Sequence, residues 1–285
     1  MPAGAYDFRV GPICCTVLSD GYFSYPMAWF FPNADPAELA AALDARRLPH
    51  DRILSPFTCL LIETGSHVVL VDTGAGETLT TTGAISARLE MSGIRPRDVT
   101  TVVLTHAHSD HIGGAVDSRG RPAFPNARYI LSETELDFWT AAHPDSRDVR
   151  LPDKVTADMA QTARDCLRIL RHQLEPIDGE TEIVPGVVAI PSAGHTPGHL
   201  ALLLTAGGER LLHLGDAAVH PLHLEHPTWH NGFDQAAEQA VCTRRELVER
   251  AAKEQMHLMA FHFPFPSVGR VGPLAEGGWE WRPGW

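Results

Sequence analysis

Short runs of apolar residues recur along the chain at positions 57–62, 67–71, 101–104, 128–131, 187–190, 200–204, 211–214 and 258–261. Each is too brief for a buried helix and reads as a strand. Between them, apolar residues return at helical spacing over 36–47, 77–91, 133–142, about 153–174, and 234–254. Asp35 before Pro36 makes a capping residue followed by a first-turn proline, and Gly93 closes the second helix. Strands and helices interleaved in this way predict an α/β fold with layers of sheet between layers of helix.

No linker, low-complexity tract or fixed-period repeat interrupts the pattern, so residues 1–285 are read as a single domain. Segments 1–56 and 263–285 are expected to contribute pocket loops and, in the Gly- and Pro-rich tail, a hairpin. A faint two-fold character, with strand pairs and helices on either side of about residue 120, suggests two related halves.

Composition narrows the function. The chain is 44% apolar, enough for a substantial core, and its 35 acidic against 23 basic residues give a formal charge of −12. That charge repels phosphate backbones and anionic lipid surfaces, so neither nucleic acid nor a membrane is an expected partner. Five cysteines, without a C-x-x-C spacing, are not expected to form a disulfide framework or a thiolate zinc site. The N-terminus MPAGAYDFRVGPICC has no basic and apolar leader pattern, and no window approaches a membrane span, so the cytoplasm is the expected compartment.

Sixteen histidines change the picture, above all those in THAHSDHIGG, residues 105–114, directly after the apolar run 101–104. His106 and His108 stand two apart and project to one side of an extended segment; Asp110 and His111 follow as the chain turns. Two half-built metal sites result, and neither is complete, because a catalytic metal usually takes three protein ligands and keeps a position open. Candidates for the rest lie where other strands end: His195, Asp216 and His262. Competing motifs are weak. Gly74-Ala75-Gly76 has Leu79 where a dinucleotide fingerprint needs its third glycine, and there is no G-x-S-x-G elbow.

H-x-H-x-D-H followed by a later His, Asp and His, with Val71-Asp72-Thr73-Gly74 ahead of it, resembles the metallo-β-lactamase superfamily across roughly residues 57–262. The resemblance implies an αββα sandwich with its site along the edge where the two sheets meet. It implies His106, His108 and His195 on one divalent metal ion, Asp110, His111 and His262 on a second, and Asp216 bridging them. The ions are expected to be zinc, with manganese, cobalt or iron also accepted by such donors, and the implied nucleophile is a hydroxide shared between them, with Asp110 and Asp216 as the catalytic carboxylates. Asp72 would orient a ligand and His199 would support the His195 loop, whereas His213 has the opposite strand parity to Asp216 and should face away.

Within the superfamily, only 23 residues follow His262, so the helical glutathione-binding domain of glyoxalase II is not expected; redox di-iron members carry Glu where this chain has His108. Asp20-Gly21, residues 71–75, residues 192–199 and His262-Phe263-Pro264-Phe265-Pro266 are similar to the branch of methyl parathion hydrolase and the N-acyl homoserine lactonases. The expected substrate is a small hydrophobic ester, lactone or phosphotriester, in a pocket drawn from Trp29, Phe30, Trp139, Val219, His220, His223, Phe263 and Phe265. A specialised N-acyl homoserine lactonase is the alternative, weakened because Val219 stands three residues after Asp216, where those enzymes resemble one another in a tyrosine. A redox di-iron protein and a non-catalytic metal-binding protein are further, less favoured alternatives. The cluster HPLHLEHPTWH, residues 220–230, is read as a partly solvated loop beside the pocket, the alternative being a further metal site. A homodimer is compatible with these features.

Overall fold

The computed structural model describes residues 4–142, 144, 148–275 and 277–285; residues 1–3 and 276 of the two flanking segments lie outside it. Two seven-stranded sheets form its centre. The first runs β1 (Ala5–Val10), β2 (Ile13–Pro26), β3 (Arg52–Thr64), β4 (His67–Val71), β5 (Thr101–Val103), β6 (Arg128–Ser132), β7 (Leu174–Ile177), in spatial as in chain order. It is antiparallel from β1 to β4 and parallel from β4 to β7. The second runs β8 (Thr181–Val184), β9 (Val187–Pro191), β10 (Leu200–Ala206), β11 (Glu209–His213), β12 (His257–Met259), β13 (Val268–Pro273), β14 (Trp279–Pro283), with β11 and β12 parallel.

The strands read as continuous apolar runs because both faces of each sheet are covered. Leu60, Ile62, Val69, Val71, Val103 and Ile130 of the first sheet meet Leu202, Leu204, Leu211 and Met259 of the second in one core between the sheets. The alternate residues Leu61, Leu70, Val102 and Leu131 face outward under Leu89 of α3 (Ile85–Met91) and Ala163, Leu167 and Leu170 of α6 (Asp153–Leu170). On the far side, Ala201, Leu212 and Leu258 pack beneath Leu247, Val248 and Ala251 of α8 (Ala237–Lys253). Layers of helix, sheet, sheet and helix follow. The remaining helices are short or peripheral: α1 (Met27–Phe30), α2 (Pro36–Arg46), α4 (Ser109–Ile112), α5 (Glu133–Thr140) and α7 (Leu222–Glu225). None of the helices is long and apolar enough to cross a membrane among the described residues.

Several expectations are corrected. Residues 5–26 are two sheet strands rather than pocket loops, and the division between the two halves falls at 178–180, between β7 and β8, not near 120. The helix expected over 77–91 begins only at Ile85; Gly76–Thr78 form a 3-10 turn, and Gly83, at φ +92, breaks the helical path. The helix expected to reach 174 stops at Leu170, because Leu174 pairs with Tyr129 as the edge strand β7. All five cysteines are free.

The 220–230 segment is solvated only in part, at the half-buried His226 and Pro227 and the exposed Thr228, while residues 222–225 form the helix α7. His220 and His223 are buried in an apolar cluster with Phe30, Phe31, Leu222 and Trp229, His223 Nε2 donating to Phe30 O at 3.0 Å and His220 Nδ1 accepting from Leu222 N–H at 3.2 Å. Burial pushes the His220 imidazole down to about 3 and His223 well below its ordinary value. An unfolded chain takes up these protons near pH 6.5, so between 6.5 and about 3 the unfolded state holds more protons and the fold loses stability as pH falls. Each ring contributes a slope of at most about 1.4 kcal/mol per pH unit. Urea unfolding should therefore shift to lower midpoints between pH 7 and pH 5, and His220→Gln should flatten that dependence; equal slopes in the two proteins would contradict the burial of a neutral ring.

Candidate metal centre

The site grows from strand ends. The loop after β5 carries His106 and His108, and α4 carries Asp110 and His111; the β9–β10 loop carries His195, the turn after β11 Asp216, and the turn after β12 His262. The two sheets are stitched together at this edge by Leu200 N–H donating to Thr105 O (2.8 Å) and Thr58 Oγ1 donating to Phe261 O (2.6 Å). Two backbone approaches require glycine. Gly114 lies so near the Thr73 carbonyl that a Cβ would sit 2.0 Å from it, and Gly215, at φ +52, would place one 2.6 Å from His199 Nε2.

Three groups of donor atoms converge to within 4.8 Å: His106, His108 and His195; Asp110, His111 and His262; and His106, His111 and Asp216. Asp216 joins the first two groups. Its Oδ1 lies 3.4 Å from His111 Nε2, and its Oδ2 lies 3.4 Å from His195 Nε2 and 3.2 Å from His262 Nε2. His262 Nε2 is also 3.4 Å from Asp110 Oδ2.

Three of the rings are held from behind by Nδ1 so that Nε2 faces the centre, whereas His108 turns Nδ1 inward, 3.0 Å from His195 Nε2. His111 Nδ1 bonds Asp72 Oδ2 (2.8 Å), His195 Nδ1 bonds Asp234 Oδ1 (2.8 Å), and His262 Nδ1 lies 3.1 Å from the Pro56 carbonyl and 2.8 Å from Ser55 Oγ. A carboxylate or carbonyl can only accept, so each of these Nδ1 atoms carries a proton and Nε2 is the nitrogen turned inward. Asp72 also accepts from the Thr105 N–H and Oγ1 at 2.8 Å, which ties the end of β4 to the loop that carries His106. His199 donates nothing to the centre: its Nε2 accepts from Asp216 N–H at 2.9 Å, and its Nδ1 pairs with Ser192 Oγ. His213 is buried away from the cavity, accepting from Gly215 N–H.

The electrostatics are those of a dry, crowded cluster. Burial, reinforced by neighbouring rings, holds His106 and His108 well below the ordinary imidazole value. Burial also lowers His111, but Asp216 and Asp72 override it and raise the ring, and the neighbouring His262 and His111 rings hold Asp216 well down against its burial. At the centre, His106 Nε2, His111 Nε2 and Asp216 Oδ1 are all buried with no hydrogen-bond partner. A buried polar atom left unpaired costs about 1–3 kcal/mol. Several such atoms at one point fit the two divalent cations that the donor set implies: neutral imidazoles for a borderline cation, and two carboxylates to offset its charge.

Two supports lay hidden in helical sequence. Glu135, fully buried in α5, accepts from Ala107 N–H (2.9 Å) between His106 and His108, and from Thr196 Oγ1 (2.6 Å) and Gly198 N–H (3.1 Å) beyond His195. Asp234, just before α8, orients His195. Both sit where periodicity reads only as helix, so no local signal marks them.

Beside the donors opens a cavity of about 560 Å³, walled by Phe23, Tyr25, Trp29, Phe30, Val219 and Phe233 and reaching α6 at Val155 and Met159. Of the expected pocket residues, Trp29, Phe30 and Val219 line it. The others are corrected. Trp139 is buried behind His108, edge-on at 5.5 Å, with its indole N–H on Glu135 (2.7 Å). His220 and His223 belong to the apolar cluster beneath α1, Phe263 packs edge-on against Trp281 at 4.9 Å, and Phe265 points to solvent, 41% exposed.

A three-histidine group and an Asp-His-His group, joined by one carboxylate at the shared edge of two sheets, define the centre of a binuclear metal-dependent hydrolase. Residues 55–253 match the family model of the metallo-beta-lactamase superfamily, and the chain belongs to that superfamily. It is 26% identical over 237 residues to an N-acyl homoserine lactonase of a Bacillus species, covering 75% of this chain and 84% of the relative. It is 33% identical over 187 residues to a probable metallo-hydrolase of Mycobacterium bovis, covering 56% of each. Among solved structures, AidC, a dizinc quorum-quenching lactonase in complex with a product, N-hexanoyl-L-homoserine, superposes with a TM-score of 0.93 at 27% identity, over 99% of this chain and 98% of that one. A hydrolase of the beta lactamase superfamily, AbOPH, gives 0.87 at 25% identity over the same shares.

Asp234→Asn should weaken metal binding by about 10- to 100-fold through loss of the His195 orientation, with little change in fold. Competition with a chromophoric chelator reads the affinity and circular dichroism the fold; wild-type affinity in the variant would contradict the orienting role.

Proposed function

We propose that the protein hydrolyses lactones that carry an apolar acyl chain, N-acyl homoserine lactones among them, with two divalent cations, zinc in the first instance, held by His106, His108 and His195, by Asp110, His111 and His262, and by Asp216 between them. The observation that carries this reading is the continuity of the donor cluster with the aromatic cavity: His108, Asp110, His195, Asp216 and His262 form one end of the same space that Phe23, Trp29, Phe30 and Phe233 enclose. The named activities of the Bacillus relative and of AidC support it.

When bound, the cations would supply Lewis acidity and activate water as the nucleophile. The chain does the rest. The aromatic walls bury the acyl chain, at roughly 25 cal/mol for each Å² removed from water, and so fix the reacting carbonyl at the polar end. Asp110, partly open to the cavity with 16% of its side chain exposed, can orient the attacking water and accept its proton. Asp72, Asp234, Ser55 and Glu135 hold the rings and loops so that no reorganisation is needed during reaction. Val219 gives the space beside Asp216 an apolar wall rather than a donor. Its apolar character favours neutral substrates, and esters and phosphotriesters with apolar groups fit the same cavity. The absence of a donor there points away from a specialised lactonase only if no other residue provides one.

Measured kcat/KM values for γ-lactones and N-acyl homoserine lactones of graded chain length, p-nitrophenyl esters and dialkyl aryl phosphates, after reconstitution with defined metals, test the proposal. Lactones should be preferred and should improve with chain length, colourless zinc-loaded protein should suffice, and chelation or His106→Ala should lower turnover by several orders of magnitude. Full activity in metal-free protein, or inertness towards every lactone, would contradict it.

A further inference from the structure

Val219 leaves the substrate side of Asp216 without a hydroxyl, and the first sheet delivers one from the opposite end of the chain. Tyr25 is the penultimate residue of β2, paired with Ile53 of β3, two residues from the Ser55 that holds His262. Residues two apart on a strand share a face, so Phe23 and Tyr25 both enter the cavity. The Tyr25 ring is fixed there by Phe23 at 4.8 Å (edge-on), Phe30 at 5.5 Å, Phe233 at 5.6 Å (edge-on) and Trp29 at 6.3 Å. Its hydroxyl lies close enough to Asp110 and Asp216 for both carboxylates to act on it. Two other cavity hydroxyls are engaged with the backbone: Thr78 donates to Ala75 O and Thr162 to Asp158 O. A rigid aromatic stem with a polar tip, aimed at the donor cluster from an apolar wall, is poorly explained as packing, since Phe would fill the same space without a hydroxyl to satisfy.

We propose that Tyr25 is a catalytic hydrogen-bond donor to the oxygen that leaves when the acyl carbon–oxygen bond breaks. The inference rests on the lactone reading above and concerns the same site. Water adds to the acyl carbon, the ring C–O bond breaks, and its electron pair goes to the ring oxygen. Tyr25 O–H donates to that oxygen as charge develops. One proton of the attacking water completes the new hydroxyl, the other is lost to solvent from the new carboxylic acid, and Tyr25 ends as it began.

An alkoxide is a poor leaving group and gains from such a donor, whereas p-nitrophenolate leaves readily without one. The test is therefore Tyr25→Phe in metal-loaded protein, assayed on an alkyl γ-lactone and on a p-nitrophenyl ester of matched acyl length. The expected result is a fall in lactone kcat of about 10- to 100-fold with KM within about 3-fold, while ester kcat stays within about 3-fold and metal content is unchanged. Equal losses on both substrates would make Tyr25 a packing residue and overturn the proposal. An unchanged lactone kcat would overturn it alone, leaving the lactonase reading intact; a wild-type protein active on the ester but inert on the lactone would overturn both.

Discussion

The structure turns on a cluster of ligand atoms that cannot satisfy one another. Imidazole nitrogens of five histidines and two carboxylates are brought together where water is largely excluded, and the outer nitrogens of His111, His195 and His262 are already tied to Asp72, to Asp234, and to the Ser55 hydroxyl and Pro56 carbonyl. Protonating them all would gather like charges, and leaving them neutral strands His106 Nε2, His111 Nε2 and Asp216 Oδ1 without partners. Two cations resolve both difficulties. Around this requirement the loops, their glycines and the supporting Glu135 make sense as parts of one holding frame.

The frame explains why the site lies where it does. Strands buried on both faces leave few places for seven polar donors except the ends, and the end at which β3, β4 and β5 of one sheet meet β10, β11 and β12 of the other is the place where both sheets can contribute. Asp216 is delivered by one sheet and His111 by the other, and the sheet-to-sheet bonds from Leu200 and Thr58 fix their separation. The N-terminal strand β2 then extends past the edge and supplies Phe23 and Tyr25 to the aromatic wall, which Trp29 and Phe30 of α1 and Phe233 complete. The donor cluster and the aromatic cavity thus share one edge, to which both sheets, α1 and the loop before α8 contribute.

Much of this was legible in the sequence, for physical reasons. The double-sided burial of β3, β4, β6, β10 and β11 writes itself as uninterrupted apolar runs, and His106, His108, Asp110 and His111 stand so close in the chain that geometry leaves few other arrangements. The edge strands β1, β7 and β8 escaped because their half-exposed residues, such as the Leu174–Ile177 segment, have no clear alternation. The pocket was the least legible. Trp139, His220, His223 and Phe263 are indistinguishable from cavity residues by type, and only packing decides that they are core. Tyr25, Glu135 and Asp234 act on the centre from 28 or more residues away from the partners they hold or face, so spacing carries no trace of them.

The claim on which everything else depends is that two cations occupy this cluster. X-ray diffraction at the absorption edge of the loaded metal, from crystals of the metal-replete protein, measures it directly. The account predicts two anomalous peaks per chain, one bound by His106, His108 and His195, the other by Asp110, His111 and His262, with Asp216 touching both. A single peak, or peaks among the histidines of residues 220–230, would contradict it.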